Sequence, residues 1–377
     1  MRKILVFLVS VMLALVSTGA NADIVYLTDS GAMGLIRTTG AASADLSGTQ
    51  YTVSWTDPFL GSYWNGSKTR IILVDRTTDT TESGDTALVF DTSDLAHPIE
   101  TERKVLSGLY DSQVIASAYN GRSVFFASGT SIHEFRTSDF APSRSYTYSP
   151  KTSDDITAEI TGMIVNSNVI YALVQQTNSR DVLLRFDGQL REDVSDSFEK
   201  VHLAEDTAAI SWLSSSRIAI GYGEGVSVRG NSRFFSQIVS SDAPVKAVCQ
   251  DSGSGFYFIE QSEAGDTCTT TLKHYKSLTD ISTLYTNNNG RTCQLVRDSD
   301  NGIFAAIAGD KILVYEMNRD ILLGEYDSSQ LGSLPVQIAA STVKGDDGST
   351  NSGCSVAGTG MLLILAAGCM FLKRYGI

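Results

Sequence analysis

Residues 113–148 read QVIASAYNGRSVFFASGTSIHEFRTSDFAPSRSYTY and contain four short runs of β-forming residues. The runs cover Gln113 to Tyr119, Val124 to Ala127, Ile132 to Phe135 and Ser143 to Tyr148. Asn120-Gly121 and Ser128-Gly129 separate the first three runs, and glycine supplies the positive φ that a tight hairpin needs. The segment therefore predicts one antiparallel unit of four strands.

The third run of this unit recurs along the chain, usually ending in an aromatic residue. The intervals between successive aligned positions are 45, 51, 42, 47 and 40 residues, measured through Phe90, Phe135, Phe186, Val228, Tyr275 and Tyr315. This is the period of a propeller blade built from four strands. Six units can be written in this way, and no stretch between them sustains a helical period.

A seventh unit is divided between the two ends of the repeat region. Pro335 to Ala340 is typical of an innermost strand without successors, whereas Ile24 to Thr28, Met33 to Thr38 and Tyr51 to Trp55 are three strands without a predecessor. A propeller has to close its ring to hide the strand edges. We therefore predict an all-β, seven-bladed β-propeller that closes by pairing Pro335 to Ala340 beside Ile24 to Thr28, with six blades as the alternative count.

This repeat resembles that of seven-bladed propellers of the WD40 and YVTN types over nearly the whole region. It lacks a Trp-Asp or Tyr-Val-Thr-Asn signature, so the resemblance implies an architecture and no particular activity.

The N-terminus has the pattern of a secretory signal peptide. Met1-Arg2-Lys3 precedes the apolar run Ile4 to Val16, and Ala20-Asn21-Ala22 supplies a cleavage site of the Ala-x-Ala kind. We predict a signal peptide over residues 1–22, cleaved after Ala22. The alternative is an uncleaved anchor, for which the apolar run is short.

The C-terminus carries a second apolar stretch, Cys354 to Leu372, which contains no charged residue and is long enough to cross a bilayer as a helix. Lys373 and Arg374 follow, and basic residues of this kind stay in the cytoplasm. The predicted order is a propeller over residues 23–341, a flexible tether over 342–353, a transmembrane helix over 354–372 and a cytoplasmic tail over 373–377. A buried core helix is the alternative to a membrane span.

The segment Ser352-Gly353-Cys354, with the apolar stretch and the basic pair after it, resembles the C-terminal sorting tails of diderm bacteria, above all the Synergistes type and also the Myxococcus type. The resemblance implies processing by a membrane protease near Gly353 and Cys354, and display at the cell surface. Tyr375-Gly376-Ile377 departs from such tails, which often end in further basic residues. A plain single-span anchor is the alternative.

Composition limits the partners. The chain has 42 acidic and 29 basic residues and a formal net charge of −13, which excludes nucleic acid and anionic lipid as general partners. The four histidines have no spacing that would set a metal on one element, and no cofactor motif occurs in a suitable context, so we predict neither a metal nor a cofactor. Cys268 and Cys293 fall at the same end of the predicted ring, where a disulfide and buried thiols are both possible.

Two function classes remain open. The first is a surface-anchored binding or structural module for a protein, a glycan or an envelope partner. The second is an exported propeller enzyme, such as a lyase, a lactonase or a glycan hydrolase. Five aspartates precede predicted innermost strands and are the candidate ligand-binding residues: Asp111, Asp154, Asp155, Asp206 and Asp242. Because loops commonly contain aspartate, the sequence favours binding over catalysis, with no catalytic residue assigned.

Overall fold

The computed structural model describes residues 21–340 except for 40–42, 56, 67–68, 77–83, 92–99, 111–113, 116–120, 151–156, 167–168, 178, 193–197, 200–206, 215, 231–234, 265–266, 290–291, 299–300 and 318. The first fourteen strands are β1 (Asn21–Thr28), β2 (Ala32–Thr39), β3 (Ala44–Thr52), β4 (Pro58–Trp64), β5 (Thr69–Asp75), β6 (Gly84–Asp91), β7 (Glu100–Ser107), β8 (Val114–Ile115), β9 (Ser123–Ser128), β10 (Ser131–Arg136), β11 (Pro142–Thr147), β12 (Ala158–Asn166), β13 (Val169–Gln176) and β14 (Val182–Asp187). The remaining elements are β15 (Phe198–Glu199), β16 (Ala209–Ser214), β17 (Arg217–Tyr222), β18 (Gly225–Arg229), β19 (Phe235–Ser240), β20 (Val245–Gln250), β21 (Phe256–Ala264), β22 (Thr267–Ser277), β23 (Asp280–Asn287), β24 (Cys293–Asp298), β25 (Ile303–Ala308), β26 (Lys311–Glu316), β27 (Ile321–Asp327), the short helix α1 (Ser328–Leu331) and β28 (Pro335–Ala340).

These strands form seven antiparallel sheets of four strands each, which confirms the predicted seven-bladed propeller. Blade 1 has the order β28-β1-β2-β3, and blades 2 to 7 each take four consecutive strands from β4 to β27. In a blade of four antiparallel strands, the fourth strand ends on the face of the ring where the first strand begins. The innermost strand of the next blade then starts from this same face. We call this the start face. The opposite face, at which every innermost strand ends, is the end face.

The ring closes by pairing the two ends of the described chain, as predicted. β28 lies antiparallel to β1, with Ile24 opposite Ala340 and Thr28 opposite Pro335. Residues on both strands are buried, among them Ile24, Ile338 and Ala340. A predicted cleavage after Ala22 would leave every β1 residue that pairs with β28 in the mature chain. β28 ends at the end face, and β1, which is antiparallel to it, begins at the same face.

The hydrophobic core lies between neighbouring blades. One cluster joins Ile259 and Leu272 of blade 6 to Leu295 and Leu313 of blade 7, and similar clusters fill the other gaps. Inner strands are therefore buried on both sides, and β25 reads as an unbroken apolar run, IFAAIA, with all six residues buried. Outer strands face solvent, as the largely exposed β11 shows.

The outer strand of blade 1 differs from the prediction. The predicted strand covers Tyr51 to Trp55, whereas β3 spans Ala44–Thr52. Outer strands bury little surface, so their apolar signal is weak, and ADLSGTQYT has few residues of high β propensity.

Two glutamine side chains join innermost strands of adjacent blades. Gln294 of β24 donates to the Ile338 carbonyl at 3.0 Å and accepts from the Ile338 N–H at 2.7 Å. Gln337 of β28 accepts from the Leu60 N–H of β4. Blade 1 is therefore linked to both of its neighbours near the ring axis. Within the described residues, no helix is long and apolar enough to cross a membrane, and the predicted span over 354–372 lies outside them.

Candidate functional site

A group of acid–base side chains meets between blades 6 and 7 at the end face. His274 lies at its centre. Its Nε2 is 3.2 Å from Asp251 Oδ2, and its Nδ1 is 2.9 Å from Asp320 Oδ1. Lys276 Nζ is 2.8 Å from Asp320 Oδ2, and the Tyr257 hydroxyl donates to Asp320 Oδ1 at 3.1 Å. We call these five residues the His274 cluster.

The propeller positions these residues through different elements. Asp251 follows the innermost strand β20, His274 and Lys276 belong to β22, and Asp320 lies in the connection from β26 to β27 of the next blade. β26 runs parallel to its own innermost strand, so this connection lies at the end face. Asp320 has φ of 56°, a left-handed conformation that aspartate tolerates better than most residues.

Aromatic packing fixes the histidine ring. Tyr257 stacks on His274 with ring centroids 4.1 Å apart, and Phe304 of blade 7 stacks on Tyr257 at 3.9 Å. The Tyr257 hydroxyl also donates to the Met317 carbonyl at 2.6 Å. The imidazole is therefore held in one orientation, and His274 is only 3% exposed.

Charge pairing keeps Asp320 and Lys276 ionised. Burial alone would raise the pKa of Asp320, but hydrogen bonds from Lys276, His274 and Tyr257 outweigh it and lower that pKa. The hydrogen bond to Asp320 raises the pKa of Lys276. Both groups are therefore charged at neutral pH. Lys276 is 44% exposed and Asp320 is 11% exposed, so solvent approaches the cluster from their side.

Arg297 of β24 borders the cluster from inside the ring. Its Nη1 donates to the Asp251 carbonyl at 3.3 Å, and the residue is 4% exposed. Its Nε and Nη2 have no hydrogen-bond partner among the described residues. This guanidinium adds a positive charge behind the two carboxylates.

The five predicted aspartates are mostly outside the described residues. Four of them lie outside the described residues, so their predicted convergence stays a prediction: Asp111, Asp154, Asp155 and Asp206. Asp242 is described in the connection from β19 to β20, at the start face. Its side chain is 94% exposed and pairs with Lys273 Nζ at 3.1 Å. It lies at the opposite face from the His274 cluster. The predicted processing residues Gly353 and Cys354 also fall outside the described part.

The three cysteines of the propeller are thiols in the structure. Cys249, Cys268 and Cys293 are all buried, and no disulfide joins Cys268 to Cys293. Burial raises the pKa of the Cys293 thiol to about 12. Its sulfur also contacts Gln261 Nε2 at 3.3 Å. Of the two alternatives that the sequence left open, the structure has the buried thiols.

No role was predicted for His274, because no histidine spacing within a single element marks a site. Its partners Asp251 and Asp320 are 23 and 46 residues away and belong to turns of consecutive blades. His133, the other described histidine, lies in β10, and burial lowers its pKa. No group of three or more His, Cys, Asp or Glu side chains in the described part is arranged to hold a metal ion.

The chain matches no protein-family model and no curated protein sequence. Its fold is similar to several solved propellers. A candidate 6-phosphogluconolactonase from Bacteroides uniformis is 15% identical, with a TM-score of 0.58 over 85% of this chain and 99% of that one. A candidate 6-phosphogluconolactonase from Bacteroides fragilis is 10% identical, with a TM-score of 0.61 over 86% and 99%. The periplasmic gluconolactonase of Pseudomonas aeruginosa is 9% identical, with a TM-score of 0.58 over 86% and 100%. At these identities the likeness concerns the fold.

Proposed function

We propose that this chain is an exported propeller hydrolase of the lactonase type, which opens the cyclic ester of a sugar acid. The observation that carries the proposal is the His274 cluster, in which an ionised carboxylate, a partly exposed ammonium group and an oriented histidine meet at one face. Two fold neighbours that are candidate 6-phosphogluconolactonases, and one gluconolactonase, support the choice of reaction class. Lactone hydrolysis therefore becomes the first candidate function, in place of the non-catalytic binding that the sequence favoured.

The proposed reaction adds water to the lactone carbonyl carbon and breaks the bond from that carbon to the ring oxygen. Asp320 takes a proton from the attacking water, and the Lys276 ammonium stabilises the negative charge that develops on the carbonyl oxygen. The ring oxygen takes up the proton that Asp320 accepted, which restores the carboxylate, and the open-chain hydroxy acid then ionises and releases one proton to solvent. His274 is a positioning residue, because it holds Asp320 without facing the substrate.

The test is proton release by the purified full chain in a pH-stat, with glucono-δ-lactone and its 6-phosphate as substrates. Lactones hydrolyse without a catalyst, so the protein-free rate is subtracted. Saturable release above that rate supports the proposal. Release that stays at the protein-free rate for both lactones refutes it for these substrates.

A second candidate is the non-catalytic module that the sequence analysis favoured. The observation in its favour is that His274 is already engaged by neighbouring side chains. Its two ring nitrogens both face carboxylates, and Tyr257 covers its ring. Such a network also serves to join two blades. If His274→Gln lowers the melting temperature and no lactone is turned over, the cluster is structural and the binding function is the better one.

We also propose that the protein is exported and held in the membrane through residues 354–372 until a sorting protease processes it near Cys354 for display on a diderm cell surface. The sequence patterns at both termini support this. The geometry is compatible with it, because β28 ends at the end face and the chain continues from there toward the predicted tether.

A further inference from the structure

Exposed apolar side chains are concentrated on the outer rim of blades 6 and 7. Eight large hydrophobic residues are exposed in the described part of the chain, and four of them belong to neighbouring hairpins of blades 6 and 7. Leu278 is 70% exposed and Ile281 is 42% exposed in the β22–β23 hairpin. Ile321 and Leu322 are 42% and 41% exposed at the start of β27. We call these four residues the rim patch.

Direct contacts hold the two hairpins of the rim patch together. Lys276, two residues before Leu278, pairs with Asp320, which immediately precedes Ile321, at 2.8 Å. Between the same two blades, the Tyr315 hydroxyl of β26 donates to the Leu284 carbonyl of β23 at 3.4 Å. The four apolar side chains therefore flank one inter-blade contact instead of lying at separate points on the surface.

The rim patch lies on the face from which the chain leaves the ring. Both third-to-fourth-strand connections lie at the end face, because each third strand runs parallel to the innermost strand of its blade. β28 also ends there, at Ala340, and it belongs to blade 1, which follows blade 7 around the ring. The predicted tether of residues 342–353 would separate this face from the apolar stretch 354–372 by a typical distance of about 20 Å.

We propose that the rim patch rests in the interfacial layer of the membrane to which the C-terminal stretch attaches, so that the end face of the ring turns toward the bilayer. The proposal depends on the anchoring proposed above and concerns the chain before processing, while residues 354–372 are still attached. The short tether predicted for residues 342–353 would keep the patch at a high effective concentration at the bilayer, so a weak contact would be enough. Moving leucine and isoleucine side chains out of water is favourable. Beside the patch, Lys276 pairs with Asp320 and Arg319 pairs with Glu316, and Asp280 adds a negative charge. Apolar burial, and not charge, would therefore drive the contact.

The orientation has a consequence for the His274 cluster. Lys276 and Asp320 lie between the two hairpins of the rim patch, so a ligand would reach them from the gap between the ring and the membrane. The start face, with Asp242, would point away from the cell.

The test uses the full chain reconstituted in vesicles that contain brominated lipids, which quench tryptophan fluorescence at contact range. Leu278→Trp is compared with Leu334→Trp, a matched exposed leucine on the start face that is 47% exposed. Emission of the unsubstituted protein is subtracted, because Trp55, Trp64 and Trp212 also fluoresce. We expect the Leu278→Trp signal to lose most of its added emission and the Leu334→Trp signal to keep it.

Two results would overturn the proposal, and they differ in what they mean. If the protein floats with the vesicles but both added tryptophans are unquenched or equally quenched, the anchor stands and the rim patch does not touch the membrane. If the protein does not float with the vesicles, the anchoring itself is wrong. Leu322→Trp provides a second position in the patch, and an unchanged melting temperature for each variant shows that the ring is intact.

Discussion

Ile338→Ala tests whether the ring is closed by its C-terminal strand. Ile338 is 1% exposed, lies in β28 opposite Tyr26, and packs in a cluster that includes Ile24, Val314 and Leu331. Removing a buried isoleucine to alanine costs about 2–5 kcal/mol, because apolar contacts are lost and a cavity remains. For a domain of this size each kcal/mol moves the melting temperature by about 2 °C, so we expect a decrease of roughly 4–10 °C.

Ile321→Ala is the matched control, because the same atoms are removed from a residue that is 42% exposed. Ile321→Ala should change the free energy of unfolding by no more than about 1 kcal/mol. Both variants are measured by thermal and urea unfolding followed by circular dichroism. Equal shifts for the two variants, or a silent Ile338→Ala, would show that β28 does not close the ring.

Three further predictions concern the cluster, the C-terminus and the five predicted aspartates. The pKa of Asp320 is lower in the folded protein than in the unfolded chain. Its ion pairs therefore stabilise the fold fully at pH values above the unfolded-state pKa of this carboxyl, and the stabilisation is lost as the pH falls through the lower, folded-state pKa. Unfolding measured from pH 7 to pH 2 should therefore show Asp320→Asn destabilised at neutral pH and approaching the unsubstituted protein in acid; a constant difference would contradict the pairing. Mass spectrometry of the protein from a producing bacterium should find the mature chain ending near Gly353 or Cys354, whereas intact peptides containing Phe371-Leu372-Lys373 in the surface fraction would favour a plain anchor. If the five predicted aspartates bind a cationic partner or a divalent ion, affinity should weaken with salt and with combined Asp→Asn changes, and binding unaffected by all five changes would place that site elsewhere.

The architecture could be predicted because each blade repeats one pattern of burial. The third strands β6, β10, β14, β22 and β26 contain the apolar runs ending in an aromatic residue that defined the period, and β18 fits between them. Closure was predictable for the same reason, since one strand without successors and three without a predecessor complete a single blade. The position of β3 was not, because an outer strand needs little apolar surface.

The His274 cluster could not be found from the sequence. Asp251 and Asp320 come from two blades, and their meeting depends on how the turn after β20 and the connection before β27 are oriented around the ring. No spacing rule within one blade brings them together. A comparison of equivalent turns does not pair the two aspartates either, because Asp251 lies between the first and second strands of its blade and Asp320 between the third and fourth strands of the next.

The most direct test of the proposed lactonase activity is the turnover number of Asp320→Asn measured beside that of Glu325→Gln. Both changes convert a carboxylate of blade 7 to an amide, but Glu325 pairs with Lys311 in the outer part of the blade and lies outside the cluster. If Asp320 takes the proton from water, Asp320→Asn should lower the rate of lactone opening by about 100-fold or more, and Glu325→Gln should leave it unchanged. Full activity in a folded Asp320→Asn variant would contradict the account.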